Sequence, residues 1–600
     1  MTFFFSLFFG LCLLAFSAVT CQATDYHERL LLRPLPQNAL LASFHFRSNA
    51  TASSFEEQNF RFFPRSLGQI LQHAHTKELH LRFSLGRWDA ELWGARPWNG
   101  AREGGTGVEL WAWVDAETEE QANARWLTLA NALSGLFCAS LNFIDATKTI
   151  RPVMTFPPER YPADQSPDNL HLLHGTLPHE VVCTENLTPF LKLLPCKGKS
   201  GISSLLDGHK LFDASWQTMS IDVRPVCPDD GSECILEIEQ IVDMVLDIDR
   251  SKRPRDNPIP RPVPVEEITC DESKPYNSHD SCFPLKRASE PQWSLEEVFG
   301  HPIKGACPLT GDGTNSETVC LNVQPDREVQ VKTEGKYTQS RHDDGLLRCF
   351  QLPDGVDFDL FLPEQNVEAE IPLAQPAFYA ARSITGHGQE RGGLQAVLTN
   401  PSPDSSVDLV YLESLPWFMK PYVHTLRAYV SNDAGRHECT ECIKEIYYRP
   451  AVDRSRGTHL ELQLSVPPAS SLILTYDFEK AILRYTEYPP DANRGFDVAP
   501  AVIRLLNSST GDDLSQKVYL RTTSLLLPLP TPDFSMPYNV IILTSTVMAL
   551  GFGSIFNILV RRFVGASEVE GWKSGGLKGI VLAKIQRLKA KFQAKGAKAE

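Results

Sequence analysis

The chain has 600 residues, 42% hydrophobic and 22% charged, with 58 Lys and Arg against 73 Asp and Glu and a formal net charge of −15. Of these, ten basic and three acidic residues follow Val560, which leaves the rest of the chain at −22. Nothing there would neutralise phosphates, so nucleic-acid binding is excluded for it, and its length calls for more than one hydrophobic core.

The first predicted element is an apolar run from Phe3 to Val19, followed by the small residues Ser17, Ala18 and Ala23. It reads as a cleaved signal peptide over residues 1–23, with an uncleaved second span as the alternative because no Lys or Arg precedes it. A secretory route fits the twelve cysteines that follow, all between Cys138 and Cys442, and the sequons at Asn49, Asn186 and Asn507, read as surface glycan acceptors.

Residues 24–251 are expected to form a lumenal α+β domain. Ser66 to Gln69 is a capping-box signature with Leu67, Ile70, Leu71 and Ala74 behind it at helical spacing. Leu79, Leu81, Phe83 and Leu85 alternate with polar residues as a half-buried strand. A second helix starts near Thr118, with Ala122, Trp126, Leu129 and Leu133 on one face and Gly135 as its stop. Five prolines between Lys252 and Pro264 remove backbone donors and mark a linker at 252–264.

Residues 265–533 are expected to be lumenal and β-rich. Tyr422 to Val430, Leu460 to Val466 and Leu472 to Phe478 alternate as strands of packed antiparallel sheets, making the whole α+β and mainly β, sandwich-like in its second part. Cys227 and Cys234 flank a turn, and Cys439 and Cys442 lie between strands, so both pairs read as structural disulfides rather than redox couples. Cys270 with Cys282, and Cys307 with Cys320, would close similar loops.

From Phe534 to Val560 the chain carries no charge, and residues 538–560 are long enough to cross a hydrocarbon layer of about 30 Å as one helix. Arg561 and Arg562 place the basic tail, 561–600, on the cytosolic side and the body in the lumen, the arrangement of a single-pass type I protein. Tyr538, Asn539 and Asn557, with Thr544, Ser545 and Thr546 between, suggest contact with neighbouring spans or a polar ligand, against plain snorkelling at the interfaces. In the tail, Leu577, Ile580, Val581, Ile585, Leu588 and Phe592 share a helical face that would lie on an anionic leaflet or dock on a partner.

No Gly-x-Ser-x-Gly elbow, His-Glu-x-x-His helix or P-loop occurs, and no metal or other cofactor is expected. Five segments carry a resemblance: Val108-Glu-Leu-Trp111, Leu133 to Asp145, Val182-Cys-Thr-Glu-Asn-Leu-Thr-Pro189, Thr486 to Asp491 and Pro530 to Val540. They resemble the PIG-T family, a subunit of the glycosylphosphatidylinositol (GPI) transamidase, from about residue 25 to the membrane span.

The resemblance implies a noncatalytic scaffold in the endoplasmic reticulum membrane, holding a protease-like catalytic subunit beside multispan subunits, with GPI lipid and precursor protein as substrates. By motif it implies that Cys183 forms a disulfide to the catalytic subunit. The residues themselves also allow Cys183 to close a loop with Cys196, and Cys138 reads as a buried free thiol among apolar neighbours. With GPI lipid as substrate, the type and depth of Tyr538 and Asn539 suggest that they sit at the lumenal interface and help hold the GPI head group or a neighbouring span. From another class, a single-span cell-surface adhesion or receptor ectodomain shares the leader, sequons, disulfides and span, and a lumenal hydrolase or thiol oxidoreductase would use Cys439 and Cys442.

Overall fold

The structure, a computed structural model, describes residues 26–158, 169–227, 233–253, 266, 268–270, 282–284, 289–310, 318–366, 373–386, 388–432, 435–489, 491–506, 517–531, 535–561 and 577–596. The expected leader, residues 254–264 of the proline-rich run, and Asn507 lie outside them. The chain is mostly β, with a minority of helix, and divides into a body ending at Pro530 and a C-terminal unit from Thr531.

The body is built on an eleven-stranded sheet. Its order runs Gln339–His342, Leu347–Phe350, Val319–Asn322, Tyr26–Leu35, Ala39–Thr51, Ile235–Asp247, Trp216–Val226, Thr76–Gly86, Gly107–Asp115, Leu170–Leu177 and Thr149–Ile150. All neighbours are antiparallel except Tyr26–Leu35 with Val319–Asn322. The sheet therefore does not stop at the proline-rich run: strands on its far side extend it.

One face of this sheet forms a conventional core. Leu79, Leu81 and Phe83 point into it and meet Trp126, Leu129, Leu133 and Phe137 of the helix Glu119–Phe137. Thr118 caps that helix by accepting from Gln121 N–H at 3.2 Å. The helix runs past Gly135 and stops at Cys138, whose φ of +51° is a left-handed cap. The earlier helix is Arg65–His73, so Pro64 is its N-cap and Ser66 lies inside it.

The second part is a sandwich of two five-stranded sheets around a shared core. One sheet contains Tyr379–Thr385, Arg391–Asn400, Ser470–Lys480, Met419–Asn432 and Gly435–Glu438. The other contains Ile443–Arg449, Thr458–Val466, Val407–Leu415, Val502–Leu505 and Tyr519–Arg521. Leu460, Leu462 and Leu464 from one face Leu472, Leu474 and Phe478 from the other, so the Pro467 turn carries the chain between sheets.

Five disulfides are formed in the body: Cys196–Cys307, Cys227–Cys234, Cys270–Cys282, Cys320–Cys349 and Cys439–Cys442. Two expected pairings are overturned. Cys320 and Cys349 lie directly opposite each other in adjacent strands, which removes Cys320 as a partner for Cys307. Cys307 instead holds Cys196, which removes Cys196 as a partner for Cys183.

In the C-terminal unit, Ser535–Val560 is one helix, and its stretch Tyr538–Val560 has a mean hydropathy of 1.8. At 1.5 Å per residue those 23 residues span roughly 34 Å, enough to cross a bilayer core. Thr544 and Thr546 donate to the carbonyls of Val540 and Ile542, each at 2.7 Å, so these hydroxyls need no external partner. Asn539 and Asn557 are five turns apart and fall on the same face, about 27 Å from each other along the axis. Leu577–Gly596 is a separate helix in which Lys584 interrupts the apolar arc of Ile580, Val581, Ile585 and Leu588.

Candidate functional site

The strand Thr76–Gly86 alternates as its sequence suggests, but it is not half-buried. His80, Arg82 and Ser84 point away from the helices and are as buried as Leu79 and Leu81, because the sandwich packs on that face. The result is a layer of charge between the two lobes, in which opposite charges are paired.

Asp222 is its centre. Its Oδ1 accepts from Arg82 at 2.5 Å and bonds His80 Nδ1, and its Oδ2 lies 3.1 Å from Arg102. His80 Nε2 meets Glu78 at 2.7 Å. Arg102 also pairs with Glu239, which receives Arg224 at 3.2 Å and His45 at 3.3 Å. Burial alone would raise the Asp222 carboxyl, but Arg82, Arg102 and His80 hold it well below the usual range. Burial would likewise lower the His80 imidazole, and its two carboxylates raise it instead.

Across the layer, Arg521 of the sandwich bonds Glu109 at 3.2 Å and the Gly100 carbonyl at 3.1 Å. Glu461 accepts from the backbone of Val153 and Met154 and from the Thr155 hydroxyl, at 2.6 to 2.8 Å. Phe156 stacks between Trp111 and Tyr519, and the guanidinium of Arg82 lies 4.8 Å from the Trp111 ring centre. Gly100, at φ +73°, lets the Tyr519 carbonyl approach to 2.0 Å from where a Cβ would sit.

A carboxylate–histidine–carboxylate array of this kind resembles acid–base machinery, and here its members bond one another. Both ring nitrogens of His80 are held by carboxylates, and no thiol or hydroxyl bonds them among the described residues. A cleft of about 540 Å³ opens at the same junction, walled by Trp88, Arg96, Glu103, Trp216, Arg382 and Arg521. Three of its four arginines are paired, Arg96 with Glu103, Arg382 with Glu413 and Arg521 with Glu109, and the fourth is Arg87.

The residues singled out by sequence fall elsewhere. Cys439 and Cys442 form a disulfide buried against the sandwich core, which suits a staple and not an exchanging pair. Cys227–Cys234 closes the hairpin between Trp216–Val226 and Ile235–Asp247. Among the described residues no cluster could hold a metal ion. Tyr538, Asn539 and Asn557 are exposed on the apolar helix, and Asn49 lies in the strand Ala39–Thr51, half-buried.

Two cysteines of the body carry no disulfide: Cys183 and Cys138. Cys183 is the N-cap of the helix Thr184–Leu193 and is partly exposed beside Val181, which is 73% exposed. Cys138 is exposed rather than buried, because the left-handed turn at the helix end swings it off the apolar face.

Asn186, expected from its sequon to be a surface glycan acceptor, is buried. Its side chain is 1% exposed, its Nδ2 donates to the Phe137 carbonyl at 2.9 Å, and its Oδ1 accepts from Cys183 N–H at 2.8 Å. Sequence reasoning missed this and the interlobe layer alike. The one signal available for the layer was opposite charge at like parity in neighbouring strands, as in His80 beside Asp222.

The family described as "Gpi16 subunit, GPI transamidase component" matches residues 10–586. The chain is 39% identical to the GPI transamidase component GPI16 of Saccharomyces cerevisiae, over 95% of this chain and 93% of that one. It is 33% identical to the GPI-anchor transamidase component PIGT of Mus musculus, over 92% and 91% respectively. Among solved structures, the collagen-binding subdomain of the Enterococcus faecalis surface protein ACE overlaps 27% of the chain with a TM-score of 0.18 and 11% identity. The full-length matches disfavour the adhesion alternative, and the chain belongs to the Gpi16/PIG-T family of GPI transamidase components, subunits that serve in the attachment of GPI anchors.

Proposed function

We propose that this chain is the noncatalytic lumenal scaffold of the GPI transamidase, joined through Cys183 to a protease-like catalytic subunit that supplies the nucleophile. The observation that carries this reading is the state of the cysteines. Ten of the twelve in the body are paired, Cys196 is bonded to Cys307, and Cys183 remains a partly exposed thiol at a helix start. A thiol kept out of a disulfide-rich fold, in an oxidising lumen, is available to another chain.

The charged layer supports the noncatalytic half of the reading, since Asp222, His80, Glu78 and the arginines around them are paired with one another on the sheet, and Arg521 and Glu461 tie the sandwich to it. An interchain disulfide makes two subunits one covalent unit and raises their effective concentration, a service to assembly and not to bond-making. In this reading the helix Ser535–Val560 crosses the endoplasmic reticulum membrane once, with the body lumenal. Tyr538, Asn539 and Asn557 then face the GPI head group or the spans of multispan subunits.

Nonreducing gels of the complex from membranes test the linkage. Cys183→Ser removes a reducible high-mass band and leaves part of the transfer activity, whereas Cys138→Ser leaves the band in place. A band unchanged by Cys183→Ser overturns the assignment. For the membrane helix, Asn539→Leu is expected to weaken co-purification of the multispan subunits or GPI transfer, and retention of both at wild-type level refutes that contact.

A further inference from the structure

We propose that Asn186 is a positioning residue for the Cys183 thiol, and that its sequon carries no glycan in the folded protein. The inference rests on the reading of Cys183 as the interchain thiol.

A disulfide tolerates only a narrow range of Cα separations and torsions, so a cysteine that must meet a second chain needs a fixed backbone. Cys183 begins a short helix, where the first N–H groups have no intrahelical acceptor, and Phe137 and Cys138 end a long one, where the last carbonyls have no intrahelical donor. Asn186 joins these two ends. Its Oδ1 takes the Cys183 N–H at 2.8 Å, while its Nδ2 gives one hydrogen bond to the Phe137 carbonyl at 2.9 Å and a longer one to the Cys138 carbonyl at 3.5 Å. The Cys183 carbonyl in turn accepts from Asn186 N–H at 3.0 Å.

The surroundings extend the clamp. Glu180, three residues before Cys183, accepts from Ser140 N–H at 2.8 Å and ties the same two segments a second time. Gln240 of the sheet donates to the Phe190 carbonyl at 3.1 Å, and the Cys196–Cys307 disulfide fixes the chain beyond the helix. The helix is thus pinned at both ends, and Asn186 is the side chain that pins the end bearing the thiol.

The same geometry leaves no place for a sugar. An N-linked glycan occupies Nδ2, replaces one of its two N–H groups and needs solvent around it. Here Nδ2 is enclosed and faces two backbone carbonyls. Occupying the sequon and seating Cys183 are alternatives, and the folded chain has taken the second.

The test uses the full chain in its membrane complex. Thr188→Ala destroys the sequon without touching the Asn186 amide, so glycosidase-sensitive mobility and the interchain disulfide are expected to match wild type. A loss of one glycan in Thr188→Ala overturns the proposal. Asn186→Asp keeps the acceptor for Cys183 N–H but loses the donor to Phe137, and is expected to lower the disulfide-linked fraction of co-purified chains at least threefold. In the same variant Cys183, trapped with a maleimide-polyethylene glycol under mild reduction, reacts at least threefold faster than in wild type, while the Cys138 rate stays within twofold.

If Asn186→Asp fails to accumulate, Asn186→Ser, which retains a short acceptor, is scored in the same way. A wild-type linked fraction in whichever variant accumulates overturns the positioning role. The failure of the underlying reading is seen separately, as a band that survives Cys183→Ser.

Discussion

Replacing Asp222 by asparagine keeps the shape of the side chain and removes the carboxylate paired with Arg82, which Arg102 shares with Glu239. Asp222 and Arg82 are both fully buried. Arg102 would retain Glu239, but Arg82 would lose its counter-charge and keep only neutral partners: the new amide oxygen, the Trp111 ring and the carbonyls of Leu81, Ile221 and Ala101, at 3.2 to 3.4 Å. Stripping one member from a buried ion pair costs about 3–5 kcal/mol, because the other charge is left unpaired. For a body of roughly 500 residues unfolding as a unit, with about 2.1 cal/mol/K of unfolding entropy per residue, that cost lowers Tm by about 3–5 °C. Differential scanning fluorimetry of the solubilised full chain measures it. The double variant Asp222→Asn, Arg82→Met should recover at least about 1.5 kcal/mol of the loss, since both partners go together. A single-variant shift below about 1 °C, or strictly additive effects in the double, refutes the reasoning.

Burial holds the Asp243 carboxyl up to about 7, with Glu103 adding to the effect and hydrogen bonds to Ser43 and Trp98 opposing it. A carboxyl raised in the folded state contributes stability that is full below its unfolded value near 4 and lost as pH rises to about 7, at most about 4 kcal/mol in all. Asp243→Asn should therefore raise Tm more at pH 8 than at pH 5, and an equal shift at both refutes the assignment. Gly100→Ala places a methyl against the Tyr519 carbonyl at a positive φ, so a loss of at least about 2 kcal/mol and faster proteolysis between the lobes are expected; wild-type stability would contradict this. Cys439→Ser with Cys442→Ser opens a tight loop for about 2 kcal/mol of stability and leaves transfer per assembled complex unchanged, which an activity assay normalised to complex would check.

What was legible in the sequence was whatever short-range physics decides. The period-2 pattern of Leu79, Leu81 and Phe83 placed a strand, Thr118 placed a helix start, and three disulfides closed over three to twelve residues: Cys439–Cys442, Cys227–Cys234 and Cys270–Cys282. Cys196–Cys307, at a separation of 111, depends on where two distant loops meet, and no spacing rule contains that. The charged layer was hidden for a related reason. His80 and Arg82 alternate with leucines as residues on a solvent face do, and only the later strands Val502–Leu505 and Tyr519–Arg521 turn that face into an interior. The burial of Asn186 was hidden too, since a three-residue sequon records nothing of the carbonyls at Phe137 and Cys138 that its amide meets.

The two faces of the large sheet also divide the labour of the body. The helices Glu119–Phe137 and Thr184–Leu193 pack on the face of Leu79 and Leu81, whereas the sandwich covers the face of His80 and Arg82. On the proposed linkage, a partner held through Cys183 would approach from the helical side and compete neither with the sandwich nor with the cleft at the lobe junction. Damage to the charged layer should then be separable from damage to the linkage. Asp222→Asn is expected to reduce the amount of complex while the surviving chains stay linked at the wild-type fraction, and Cys183→Ser is expected to abolish the linkage while Tm of the body moves by less than about 1 °C, the ordinary range for a partly exposed substitution in a protein of this size. Loss of linkage in Asp222→Asn, at constant recovery of folded chain, would show instead that the sheet transmits strain from one face to the other and that the two sites act as one.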